Sequence, residues 1–216
     1  AEAEEDSDSE FISVEEYPLD SKIGYYPGCV DYFDRDMIFS HLNKGEMNLG
    51  ETTTAAFTLF EEMGVDVSYL GRDFLKCCGH DQKWQGMGDV FDKLKQYNEN
   101  KLQDSGIDTL VSSCAECFKT FAMDYELDGI KVMHTTEFLA EKGFDVELTS
   151  SCPKKVTFHD PCRLGRQMNI YEEPRNLIQN VNGISMVEME HHHEDALCCG
   201  VSSMMSCNED SRTLRV

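Results

Sequence analysis

Ten cysteines are the residues of this chain best suited to do chemistry, and their spacing is not that of a disulfide framework. They are Cys29, Cys77, Cys78, Cys114, Cys117, Cys152, Cys162, Cys198, Cys199 and Cys207. Cys77-Cys78-Gly79 and Cys198-Cys199-Gly200 are adjacent pairs followed by glycine, and Cys114 and Cys117 make a Cys-x-x-Cys. Adjacent cysteines do not readily bond to each other, yet both thiolates of such a pair can reach different irons of one cluster. A zinc site usually takes four ligands as two short-spaced pairs, whereas Cys29, the Cys77-Cys78 pair and the Cys114/Cys117 motif together offer five. The pattern favours iron–sulfur ligation.

Composition supports an intracellular setting for these thiols. The 216 residues are 40% hydrophobic with 5 Pro, enough to bury a core without disulfides, as one large domain or two small ones. Nine acidic residues and no Lys or Arg fall in the first twenty positions, so the remaining chain carries −13 of the net −22. Such a surface repels phosphate backbones and anionic headgroups, which argues against nucleic-acid and peripheral membrane partners. Residues 1–20 read as an acidic disordered tail or linker, and a chain that starts at Ala1 reads as part of a longer polypeptide. There is no run of 18 apolar residues and no basic and apolar signal segment, so direct membrane insertion is not expected. The expected location is the cytoplasm, where ten thiols are reactive liabilities unless something ligates them.

Hydrophobic periodicity indicates the elements that must position the first five cysteines. Residues 22–26 (KIGYY) read as a strand ending at Pro27-Gly28-Cys29. A helix is predicted over 51–63, with Ala55, Ala56, Leu59, Phe60 and Met63 on one face and Gly64 as its stop. Residues 65–70 form the next strand, leading to Cys77-Cys78. A second helix over 87–104 turns Val90, Phe91, Leu94, Tyr97 and Leu102 inward, and the strand 107–112 delivers Cys114 and Cys117. A helix near 115–125, a strand over 130–134 and a short helix through Phe138 and Leu139 follow. This alternation predicts an α/β fold of parallel strands covered by helices, with the thiolates at the carboxyl ends of the strands, where open α/β sheets bind ligands.

The second half repeats the order. Residues 155–160 (KVTFHD) read as a strand ending at Pro161-Cys162, followed by a helix over about 170–181, a stop at Gly183 and a strand over 184–189 before Cys198-Cys199-Gly200. The repetition predicts an internal duplication, with two pseudo-symmetric Rossmann-like halves over 21–150 and 151–216.

At these residues the chain resembles the cysteine-rich CCG-domain family, most closely the B and D subunits of heterodisulfide reductase from methanogenic archaea. The matching residues are Tyr26-Pro27-Gly28-Cys29, Cys77-Cys78-Gly79, Ser113-Cys114-Ala115-Glu116-Cys117, His159-Asp160-Pro161-Cys162-Arg163-Leu164-Gly165-Arg166 and Cys198-Cys199-Gly200. The resemblance implies a noncubane 4Fe–4S cluster on each complete set of five cysteines. Cys29, Cys77, Cys78, Cys114 and Cys117 would hold the first, and Cys162, Cys198 and Cys199 part of a second. It further implies electron transfer in methanogenesis, splitting the coenzyme M–coenzyme B disulfide between two one-electron centres. The implied partners are a ferredoxin-like iron–sulfur subunit and a flavin- or haem-bearing redox subunit.

Three departures accompany the resemblance. The 47 residues between Cys29 and Cys77 exceed the family's usual spacing, and the excess is assigned to a surface insertion at 39–50. Arg163 stands where the family often has a second His; with His159 it is a catalytic candidate, His159 as a group that orients a cluster or moves a proton or, in the plainer reading, one hydrogen-bonded to backbone. No Cys-x-x-Cys follows Cys199, and Cys207, eight positions on, does not replace it, so the second site is expected to be completed beyond Val216 or to be degenerate. Cys152 and Cys207 read as unligated, Cys152 in a loop; His191-His192-His193 reads as a solvated loop; Trp84 reads as core. With no glycine-rich nucleotide motif, neither a nucleotide nor a flavin of its own is expected.

Three functions are compatible with the pattern. The first is the iron–sulfur catalytic subunit of a heterodisulfide reductase. The second is an iron–sulfur electron-transfer subunit of a 2-hydroxy-acid (glycolate or lactate) oxidase or of a membrane-linked redox complex. The third is a non-redox protein with structural zinc.

Overall fold

A computed structural model describes residues 19–30, 51–71, 73–144 and 148–200, with 148–153 by backbone alone. The acidic segment 1–18, the insertion expected at 39–50 and Cys207 lie outside the described residues. Four parallel strands form the main sheet in the order β2-β1-β3-β4: β1 (Ile23–Tyr26), β2 (Ser68–Tyr69), β3 (Thr109–Ser112) and β4 (Lys131–His134). The α/β class and the parallel sheet are as the sequence predicts.

Successive side chains of a strand point to opposite faces, and here both faces are buried. Tyr26 and Leu110 face one core, which α3 (Gly88–Ser105) and α4 (Ala115–Asp124) close with Phe91, Leu102, Phe121 and Tyr125. Tyr25 and Val111 face the other, closed by α1 (Glu51–Glu62) with Phe57 and Phe60 and by α5 (Thr135–Glu141) with Phe138 and Leu139. Helix α1 stops at Gly64, where the Val65 N–H returns to the Phe60 carbonyl at 2.9 Å. The short α2 (His80–Trp84) follows directly from Cys77-Cys78-Gly79.

Helical spacing identified most of the inward positions but misassigned some. In α1, Phe57 is buried and Ala55 exposed; in α3, Asn98 is buried and Tyr97 exposed. Phe57 turns inward because it meets Tyr25 edge-on at 5.5 Å, and Asn98 because the backbone beneath it needs a polar partner. Trp84, expected in the core, is 51% exposed.

The second half is a separate two-stranded parallel sheet, β5 (Leu148–Val156) with β6 (Val181–Met186); between the two strands in the chain lie α6 (Gly165–Met168) and α7 (Glu172–Gln179), of which α7 packs against β6. The strand expected over 155–160 runs earlier, so Cys162 follows it by six residues. Gly183 does not stop a helix. It lies within β6 at the register irregularity facing residues 150–153, so Cys152 and Pro153 sit on an irregular strand and not in a loop. A proline has no ladder N–H, and an irregularity is where a strand tolerates one. Leu164 and Ile170 pack against Phe118 of α4, and Leu177 against the core beneath α5, joining this half to the main sheet. Among the described residues no helix is long and apolar enough to cross a membrane.

Candidate functional site

The carboxyl ends of β1 and β3 and the loop after β2 bring Cys29, Cys77, Cys78, Cys114 and Cys117 together. Their thiols make a run of contacts: Cys29 with Cys77, Cys77 with Cys78, Cys78 with Cys117, and Cys117 with Cys114. Gly28 permits this approach. At φ +90° it holds a backbone that L side chains rarely adopt, and a β-carbon there would lie 2.9 Å from Cys114 Cβ and 3.6 Å from Cys117 Sγ.

Buried polar groups fix the loops that carry the sulfurs. Asn98, fully buried on α3, accepts the Lys76 N–H at 2.8 Å and donates to the Lys76 and Cys77 carbonyls at 3.3 and 3.2 Å. The Tyr125 hydroxyl donates to the Cys78 carbonyl at 3.0 Å, and the Tyr26 hydroxyl to the Lys76 carbonyl at 3.1 Å. Ser113 links the other two loops: its Oγ pairs with the Tyr25 hydroxyl at 2.9 Å and donates to the Pro27 carbonyl at 3.4 Å. His134, at the end of β4, donates from Nε2 to the Ser113 carbonyl at 3.2 Å. Tyr26 and Ser113 stand in the cysteine motifs read from the sequence, but none of these residues was given a supporting role there. Asn98, a polar residue in an otherwise apolar helix face, carried the one signal that could have marked such a role.

Protonation is divided along the run of thiols. Cys77 is brought down to about 3 by hydrogen bonds from the Cys29 and Cys78 thiols, aided by the Gly79 N–H. Cys114 is lowered by the Cys117 thiol and by the Cys117 N–H it caps at 3.5 Å. Cys29 is raised by its donation to Cys77 and by burial, and Cys117 by donation to Cys114 and Cys78. Cys78 accepts from Cys117, which lowers it, but donation to Cys77 and burial raise it overall. Cys77 and Cys114 are thus the acceptors at which the run of donated S–H groups ends, and cation binding would displace the protons it holds.

The arrangement suits a multi-iron group better than one ion. A single tetrahedral zinc draws its sulfurs to about 3.8 Å from one another. Among the described residues the groups of three donor atoms within 4.8 Å of one another are His80–Asp81–Glu116 and Glu188–His192–His193, and neither contains a cysteine. The sulfurs are strung out along a run. His80 borders them: its Nδ1 faces Asp81 at 3.1 Å and Glu116 at 3.5 Å, which ties the start of α2 to the first turn of α4 between Cys114 and Cys117. Its Nε2 is buried with no protein partner, as a nitrogen turned toward an absent group would be.

The second set is looser. Cys162 is half-buried, and Cys198 and Cys199 are exposed. His159 is exposed and donates from Nε2 to the Leu197 carbonyl at 2.8 Å, the plainer of its two readings, while Arg166 reaches the Ala196 carbonyl at 2.6 Å. Both contacts tie the Cys162 loop to the Cys198 loop. Arg163 is buried, its guanidinium carbon 4.0 Å above the Trp84 ring. Asp160, beside Pro161-Cys162, is buried against Arg175 at 2.7 and 2.8 Å. The two Cys-Cys-Gly turns share one local geometry: Gly79 and Gly200 have φ +79° and +72°, and each N–H faces the first cysteine sulfur, at 3.5 and 3.4 Å.

A family model described as "Cysteine-rich domain" (CCG) matches residues 23–122 and 156–216. The chain is 30% identical over 198 residues to the D subunit of the dihydromethanophenazine:CoB–CoM heterodisulfide reductase of Methanosarcina acetivorans, covering 85% of this chain and 48% of that one. It is 31% identical over 183 residues to the B subunit of the fumarate reductase (CoM/CoB) of Methanothermobacter marburgensis, covering 83% and 33%. It is also 28% identical over 194 residues to the EtfAB:quinone oxidoreductase of Syntrophomonas wolfei, covering 88% and 25%. The chain thus spans at most about half the length of these relatives. No solved structure matches it. Since the matched segments take in both Cys-Cys-Gly turns and most of the chain around them, the protein belongs to the cysteine-rich CCG domain family, as its motifs imply.

Proposed function

We propose that the chain is an iron–sulfur oxidoreductase subunit in which Cys29, Cys77, Cys78, Cys114 and Cys117 hold a noncubane 4Fe–4S cluster, and that it reduces a small-molecule disulfide of the coenzyme M–coenzyme B type. The observation that carries this reading is the extended run of five thiols at the carboxyl edge of a parallel sheet. When bound, such a cluster supplies electrons singly, which suits a disulfide, whose reduction takes two electrons and two protons and gives two thiols.

The protein's own groups hold and orient. Asn98, Tyr125 and Tyr26 fix the Cys77-Cys78 backbone, Ser113 fixes the loops of Cys29 and Cys114, and the packed aromatic core beneath them excludes water. Cys162, Cys198 and Cys199 are the partial second set. In this reading His159 and Arg163 act as positioning groups, His159 through the Leu197 carbonyl and Arg163 through Trp84.

Two relatives carry CoM and CoB in their names, which supports this disulfide as substrate. Electrons would come from a ferredoxin-like iron–sulfur protein or a flavin- or haem-bearing redox protein in the cytoplasm. Likeness to EtfAB:quinone oxidoreductase favours a second reading, a relay component of a 2-hydroxy-acid oxidase or a membrane-linked redox complex in which no disulfide is cleaved.

The deciding experiment uses the longest native form of the protein, prepared without oxygen. Iron and acid-labile sulfide should be present together, and a reduced viologen should be oxidised when the heterodisulfide is added. Zinc without sulfide would remove the cluster. An iron–sulfur protein inert to the heterodisulfide but reduced through a lactate- or glycolate-oxidising partner would favour the relay.

A further inference from the structure

The three consecutive histidines do not form the solvated loop that their polarity suggests. His191 is exposed, but His192 and His193 turn back on the protein, and their Nδ1 atoms lie 2.6 Å apart. Neighbouring side chains normally diverge. Here they converge because His193 takes the left-handed conformation, at φ +53°, that favours glycine. The geometry points to a divalent transition-metal site of the zinc class, separate from the cysteines, with His192 Nδ1, His193 Nδ1 and the Glu188 carboxylate as ligands.

One ligand atom from each of the three residues lies within 4.8 Å of the others, and the two Nδ1 atoms face each other directly. Each ligand type is one that zinc takes, and a set of three leaves a fourth position for water at this partly exposed surface. The groups around them hold the donors ready. Glu172 Oε1 faces His193 Nε2 at 2.8 Å and keeps the proton on that nitrogen, which leaves Nδ1 a bare lone pair. A carboxylate behind a ligating histidine is the usual second layer of a zinc site.

Tyr171 stacks on the His193 ring at 5.3 Å, and the His193 N–H donates to Asp160 Oδ2 at 2.7 Å. Arg175 grips both oxygens of Glu188, at 2.7 and 3.0 Å, and each oxygen keeps a further lone pair. Arg175 is one positive charge against the three negative charges of Asp160, Glu172 and Glu188, so the surroundings favour a cation.

Two nitrogens on one zinc stand about 3.3 Å apart, so binding would separate the rings by less than an ångström. Without metal the two nitrogens stand within hydrogen-bond distance of each other. A bound ion would cross-link Glu188, just beyond β6, to the turn five residues before Cys198, and so fix the approach to the second Cys-Cys-Gly.

Cobalt(II) added to the anaerobic, cluster-loaded protein tests this. One equivalent should bind with visible d–d bands and without the intense near-ultraviolet charge-transfer band of a cobalt thiolate, and zinc should displace it. H193Q should weaken binding by about 100-fold, and E172Q, which touches no metal, by about tenfold. Glu172 has a 66% exposed side chain, so E172Q reads the site even if H193Q disturbs folding. Absence of stoichiometric binding, thiolate charge transfer in the bound cobalt spectrum, or an affinity unchanged in E172Q would each overturn the assignment.

Discussion

Asn98 donates from Nδ2 to the Tyr125 hydroxyl at 3.1 Å, and that hydroxyl donates in turn to the Cys78 carbonyl at 3.0 Å. Two side chains, one on α3 and one just past the end of α4, thus hold the turn that carries two adjacent candidate ligands. Asn98→Ala would leave the part-buried Lys76 N–H and Cys77 carbonyl without their side-chain partner. We expect a loss of about 2–3 kcal/mol in urea denaturation and a lower iron content after reconstitution. Tyr125→Phe, which removes one hydrogen bond, should cost about 1 kcal/mol. An Asn98→Ala protein with unchanged stability and iron would show that the clamp is incidental.

Cys78→Ser and Cys114→Ser should each lose most of the bound iron, because each removes a thiolate from the run of five. Cys152→Ser, on the irregular strand β5, should leave iron content as it was. Iron and sulfide analysis of the three variants checks the ligand set, and equal losses from Cys152→Ser and Cys78→Ser would refute it.

His134 links pH to the shape of the site. Burial holds its pKa down, to about 4, and the Nδ1 that would take the proton already faces the Thr136 N–H and hydroxyl at 3.3 and 2.8 Å. The unfolded chain, with an ordinary histidine near 6.5, binds that proton more readily. Stability from this residue is therefore present above about pH 6.5 and is lost as pH falls toward 4, by up to about 3 kcal/mol. Denaturation midpoints across that window should fall with acid in the wild type and less steeply in His134→Gln. Parallel slopes would contradict the assignment.

The Arg175 network makes a distinct prediction. Burial pushes the Asp160 carboxyl up, but the Arg175 guanidinium and the His193 N–H outweigh it and hold the group below the usual carboxylate range. Arg175 likewise lowers Glu188. Arg175→Met leaves the Asp160 charge buried without its ion-pair partner, and should destabilise the fold by about 3–5 kcal/mol at neutral pH. Because the folded pKa values are depressed, the wild type should lose this advantage as pH falls below about 4. The gap between wild type and Arg175→Met, followed by urea denaturation, should therefore narrow in acid, and a gap independent of pH would rule the network out as its cause.

By itself the sequence determined the parallel α/β core and the convergence of the first five cysteines. Its signals are local: Gly64 ends a helix, Phe91 and Leu102 recur at helical spacing, and each cysteine motif follows a strand or its loop. It did not determine which polar side chains are buried, because that depends on what backbone lies across the gap. Asn98 is inside only because the Lys76-Cys77 peptide groups need partners there, while Tyr97 beside it faces solvent. The second half was less legible. Gly183 has the composition of a helix stop but sits in β6, since strand pairing across 150–153 sets the chain path and spacing along the chain does not. Likewise no periodicity foretells that His193 turns left-handed; its contacts with Glu172, Tyr171 and Asp160 come from segments 21, 22 and 33 residues away, and only the packed chain brings them together.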